Sequence, residues 1–150
     1  MKKHILSLTL ALAMLATATI SHAAVNNATG PQEKIMKDFT AQFASAPVIT
    51  LTGNGYIANA VVDGRQVSSA YNKNGNRVYS IVRYTSDNLD KNIIDIVKGS
   101  YNKYFITSME KVAEPGLDPV YLVHLTNNNS IKTVRVSDGN TELLQDFKKI

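Results

Sequence analysis

Two kinds of apolar spacing alternate along this chain, and each half of it repeats their order. After Pro31 the residues Ile35, Met36, Phe39 and Phe43 recur at intervals of three and four. That spacing places one apolar stripe on a helix of about 14 residues. Pro31 suits the first helical position, where its missing N–H has no partner to lose, and Pro47 is expected to stop the helix. Beyond Pro47 the period shortens. Val48 to Thr52, Tyr56 to Val62, Gln66 to Tyr71 and Val78 to Tyr84 are rich in β-branched and aromatic residues, as strands are. Gly53-Asn54-Gly55, Asp63-Gly64 and Asn74-Gly75 separate them. Asp-Gly and Asn-Gly tolerate the positive φ that tight hairpins demand, so an antiparallel four-strand meander is predicted.

The second half follows the same plan. Ser86 or Asp87 is expected to cap a helix carrying Leu89, Ile93, Val97 and Tyr101 at four-residue spacing. Phe105 to Val112, Val120 to Thr126, Ile131 to Val136 and Thr141 to Phe147 then read as strands, with Asn127-Asn128-Asn129 and Asp138-Gly139 as turns. Details match between the halves. Phe43 before Val48 parallels Tyr101 before Ile106, Tyr56 to Ala60 parallels Tyr121 to Leu125, and Asn74-Gly75-Asn76 parallels Asp138-Gly139-Asn140. The expected fold is α+β: two αββββ repeats, about 31–85 and 86–150, forming one domain over 31–150. Its strands would build a single curved antiparallel sheet of about eight strands, with both helices on one face.

The N-terminus follows a different pattern. Lys2, Lys3 and His4 precede an apolar stretch from Ile5 to Ile20, and Ser21-His22-Ala23 supplies small residues where a leader peptidase cuts. This is the three-part pattern of a bacterial secretory signal over residues 1–23, with Ala24 as the first mature residue and 24–30 as a polar lead-in. The apolar run is shorter than the roughly 20 residues that span a bilayer. The expectation is therefore a periplasmic or secreted protein with no stable membrane insertion after cleavage.

Export changes the composition that matters. The full chain has 16 Lys and Arg against 12 Asp and Glu, a formal charge of +4; losing Lys2 and Lys3 lowers it to +2. Nucleic-acid binding needs clustered positive charge, so this balance argues against it. The chain has no cysteine, hence no disulfide even in a compartment that permits one.

The chain resembles the secreted bacterial PepSY-like domains, grouped with the fold of the β-lactamase-inhibitor-protein-like (BLIP-like) proteins. The residues that carry the likeness are Tyr101 to Thr107, Val120 to Leu125, the Asp138-Gly139 turn, and, in the first half, Tyr56, Ala58 and Asn74-Gly75. The chain departs from the pattern in lacking the disulfides of the better-known inhibitors and the tryptophan usual near the first strand. The resemblance implies a tandem αββββ fold and an exported, non-catalytic, binding-type protein. It names no target, and β-lactamase inhibition does not transfer with architecture alone.

Chemistry-bearing residues are sparse. After export His124 is the one remaining histidine, too few for a zinc or iron site. There is no Gly-x-Ser-x-Gly elbow, no phosphate-cradling glycine fingerprint and no EF-hand spacing. No catalytic, metal-binding or cofactor-binding residue is assigned, and no cofactor is expected. Asn27-Ala28-Thr29 and Asn128-Asn129-Ser130 match the glycosylation sequon but follow a bacterial leader. The seven tyrosines are the compositional hint, since Tyr and Arg favour interfaces. A surface including Tyr79, Arg83, His124 and Arg135 is the candidate for binding an envelope or secreted protein. A structural or stress-related envelope component and a small-ligand carrier are the alternatives.

Overall fold

The computed structural model describes residues 30–150, so the leader and nearly all of the lead-in lie outside the described residues. Its elements run in the order α1 (Pro31–Phe43), β1 (Val48–Thr52), β2 (Gly55–Val62), β3 (Arg65–Asn72), β4 (Arg77–Thr85), a 3₁₀ turn (Ser86–Asn88), α2 (Lys91–Tyr101), β5 (Phe105–Ala113), β6 (Val120–Thr126), β7 (Ser130–Ser137) and β8 (Asn140–Lys148). The eight strands form one antiparallel sheet in chain order, β1 to β8, with no crossover. The fold is thus an open eight-stranded sheet with two αββββ units in tandem.

Local chemistry accounts for most boundaries. Asp63 and Gly64 both take positive φ, as do Asp138 and Gly139. These are the tight turns that fix the β2–β3 and β7–β8 registers. Two helix ends differ from the sequence expectation. α1 stops at Ala44, which adopts the left-handed conformation and donates its N–H to Thr40 O at 2.9 Å, so the helix ends before Pro47 exerts its restriction. Ser86 and Asp87 fall in the 3₁₀ turn instead of capping α2. The cap is Asp90, whose carboxylate accepts from the Asn92 N–H at 3.0 Å. Asp90 satisfies one of the N–H groups left unpaired at a helix start, and Leu89 lies just before the helix.

Both helices cover the same face, and each has its own core. Ile35 and Phe39 of α1 pack with Ala58, Val67 and Tyr71. Ile93 and Val97 of α2 pack with Met109, Val123, Leu125, Val134 and Val136. The register carries this face across the sheet: Val67 opposes Val82, Val82 opposes Lys111, Lys111 opposes Tyr121, and Tyr121 opposes Val136. Between the two clusters lie small residues. Ser69 and Ser80 are buried and share a hydrogen bond at 2.8 Å.

Polar contacts also tie α1 down. Tyr71 Oη donates to Asp38 Oδ2 at 2.9 Å, and Arg77 Nε lies 3.3 Å from the same oxygen. Burial, then the hydrogen bond to Asp38, hold the Tyr71 phenol far above the ordinary tyrosine range. The unfolded chain therefore releases this proton near pH 10 while the folded chain keeps it. Stability contributed here is complete below pH 10 and is lost as pH rises above it. Urea titrations repeated between pH 8 and 11 should show stability falling above pH 10, and Tyr71→Phe should make that fall shallower. An identical slope in the variant would assign the loss to other groups, such as Lys91 and Lys132, which are also shifted upward by Asp95 and Asp146.

Candidate functional site

The face opposite the helices carries no covering element among the described residues. Cross-strand pairing sorts its side chains into rows. One row crosses six strands: Gln66, Arg83, Glu110, Leu122, Arg135 and Glu142 are successive register partners. Two ion pairs lie in it, Arg83 Nε to Glu110 Oε1 at 2.8 Å and Arg135 Nη1 to Glu142 Oε2 at 3.5 Å. Leu122 sits between the pairs and is only 5% exposed although it is on the helix-free face. Pairs this exposed contribute about 0–1 kcal/mol each. Their consequence here is positional: Glu110 holds Arg83 along the sheet, and Glu142 holds Arg135, the register partner of Leu122.

The next row is polar. Thr85, Ser108, His124, Thr133 and Gln145 follow one another across β4 to β8. His124 Nδ1 lies 3.2 Å from Thr133 Oγ1, and Thr133 Oγ1 lies 3.3 Å from Gln145 Oε1. A hydroxyl beside an imidazole is two-thirds of a nucleophilic triad. Among the described residues, however, His124 makes no ion pair with a carboxylate that could orient it. Nor do three His, Cys, Asp or Glu side chains converge as a metal site among them.

Apolar rows flank these two. On one side Ser68, Ile81, Val112 and Val120 are register partners. On the other, Thr126 pairs with Ile131, and Ile131 with Phe147. Phe147 is 60% exposed and Ile131 45%. The helix-free face is therefore banded: apolar, ionic, polar, apolar.

The four residues picked out from the sequence all project from this face, but they do not form one cluster. Arg83 and Arg135 share the ionic row, three strands apart, or about 14 Å at the usual strand spacing. His124 occupies the adjacent row, beside Arg135. Tyr79, 37% exposed, stands four residues from Arg83 along β4, opposite Ala70 and near Ile57. Alternation along β7 puts Ile131 on one face with Arg135 already in the sequence, but sequence reasoning missed Glu110, Glu142 and Phe147. Glu142 was within reach of it: Arg135 and Glu142 are equidistant from the Asp138-Gly139 turn, so a two-residue hairpin makes them partners. Glu110 was not, because its pairing with Arg83 spans α2.

No helix among the described residues is long and apolar enough to cross a membrane. No family model matches the chain, and no curated protein matches it. Solved structures do. A BLIP-like protein from Bacteroides fragilis superposes with a TM-score of 0.58 at 17% identity, covering 81% of this chain and 89% of that one. A DUF2874 family protein from Bacteroides ovatus gives 0.57 at 14% identity, with the same coverage. A Bacteroides eggerthii protein assigned provisionally to the periplasm gives 0.57 at 12%, covering 82% and 90%. At such identities the likeness is one of fold. The chain has the BLIP-like fold; the resemblance to PepSY-like domains is not shown by these comparisons.

Proposed function

We propose that this chain is an exported, non-catalytic binding protein of the inhibitor type, and that it holds a protein partner of the envelope or medium against the helix-free face of its sheet. The observation that carries this reading is the banding of that face. Two oriented Arg–Glu pairs run between apolar rows containing the exposed Ile131 and Phe147. Protein interfaces combine such apolar anchors with charged groups that set register and exclude wrong partners. The BLIP-like fold, the leader-like N-terminus and the provisional periplasmic assignment of one structural neighbour all favour an inhibitor-type protein outside the cytoplasm.

The test is capture by immobilised residues 24–150 from the envelope and culture fluid of the source cells. One protein should be retained in stoichiometric amount. Arg83→Ala and Phe147→Ala should each weaken it about tenfold or more, as anchor residues do. Lys37→Ala, on the exposed side of α1, should leave it unchanged. A partner held equally well by the open-face variants would refute the surface, and no retained protein would refute the reading.

A further inference from the structure

The helix-bearing face has a gap. Between α1 and α2 a groove of about 420 Å³ lies over β3, β4 and β5. Its floor is Val67, Val82 and Ala113, and Phe43 at the end of α1 forms one wall. Tyr84 and Lys111 line it toward the α2 side. The volume falls within the range of small-molecule sites, about 300–1,000 Å³, and the lining is mixed, the apolar floor being accompanied by Gln42, Asp63, Arg65, Ser80, Tyr84 and Lys111.

The charges around the groove are unequal. Arg65 lies 5.7 Å above the Tyr84 ring centroid and is paired with Asp63 at 3.0 Å. Lys111 has no ion-pair partner among the described residues, and its ammonium lies 5.9 Å from the Tyr121 ring centroid. Lys111 projects from the same face as Val82, its register partner, so it stands directly beside the apolar floor. A cation outside any ion pair and next to uncovered apolar surface is complementary to one class of ligand. We infer that the groove binds a small organic anion with an apolar body: the anionic end on Lys111, away from Asp63, and the body across Val67, Val82 and Ala113. The groove is on the opposite face from the proposed partner surface, and neither reading depends on the other.

Decanoate, below its micellar concentration, is a suitable probe. Titrated into residues 24–150 carrying ¹⁵N, it should produce saturable amide shifts concentrated at Val67, Val82 and Ala113. Lys111→Met keeps an unbranched side chain one heavy atom shorter but removes the charge, and should weaken binding about tenfold, as expected for a charge-assisted hydrogen bond. Ala113→Leu should block the floor and abolish the shifts, while Tyr79→Ala, on the other face, should leave them intact. The inference is overturned if wild-type protein shows no saturable shifts, if they centre on Ile131 and Tyr79, or if binding survives both groove substitutions. The wild-type shift map decides the location even if one variant fails to fold.

Discussion

Gly55→Ala is expected to destabilise the protein by about 3 kcal/mol or more, lowering its melting temperature by roughly 10 °C. Gly55 opens β2 with φ at +152°, and a Cβ built there lies 2.0 Å from the carbonyl oxygen of Tyr71. That obstacle is backbone, and it cannot rotate away as a flexible side chain would. Gly55 is also the register partner of Asn72 at the end of β3. Relief would require β2 and β3 to separate beside Tyr71, which anchors α1 through Asp38. The backbone conformation adds strain of its own, because L side chains rarely occupy this φ. Gly53→Ala is the control. It has no atom within 4 Å of its would-be Cβ and no positive φ, so its melting temperature should stay near that of the wild type. Calorimetry on the two variants distinguishes the close approach from a general effect of losing a turn glycine.

Phe39→Ala should cost about 3–5 kcal/mol, the usual range for a buried phenylalanine. Phe39 is fully buried among Ile35, Ala58, Val67 and Tyr71, and its ring centroid is 4.7 Å from that of Phe43. Ala58 and the neighbouring Ser69 are too small to fill the space left behind. The loss is a large share of the roughly 5–15 kcal/mol that holds a domain folded. Urea unfolding followed by far-ultraviolet circular dichroism should show the midpoint falling by about 1–3 M, given ordinary denaturant slopes. Because the α2 cluster shares none of these residues, amide exchange should accelerate most in α1 and β1 to β3. Equal acceleration in both halves would show that the two cores unfold as one.

The fold was readable because its signals are local. A chain in which every strand pairs with its neighbour in sequence needs only hairpin chemistry and periodicity to be traced, and Asp63-Gly64 and Asp138-Gly139 supplied both turn and register. What escaped was set by geometry between elements or by competing local bonds. Ala44 ends α1 in a left-handed conformation that no alanine advertises. Asp90 took the cap of α2 because the 3₁₀ turn had already absorbed Ser86 and Asp87. The face of Tyr79, Arg83, His124 and Arg135 followed from alternation, but their separation did not, since it depends on strand order. Arg83–Glu110 joins the two halves across α2, and the groove beside Lys111 is empty space between helices. Neither leaves a trace in periodicity.

The division of the core bears on how the molecule can bend. Along β4 and β5 the halves are joined by the sheet's backbone hydrogen bonds; at one end of that seam Ser80 opposes Ala113 and bonds Ser69, while Val82, Tyr84 and Met109 fill the rest of its helix-bearing side. The arrangement resembles an open book with its spine at β4–β5, each cover stiffened by one helix. Flexing at the spine would change the twist between β4 and β5, and the packing of Tyr84 on the α2 cluster resists it. On the helix-free side that motion would move the Tyr79 edge relative to the Phe147 edge, setting how wide an object the banded face can grip. On the other side the same motion would open or narrow the groove between α1 and α2.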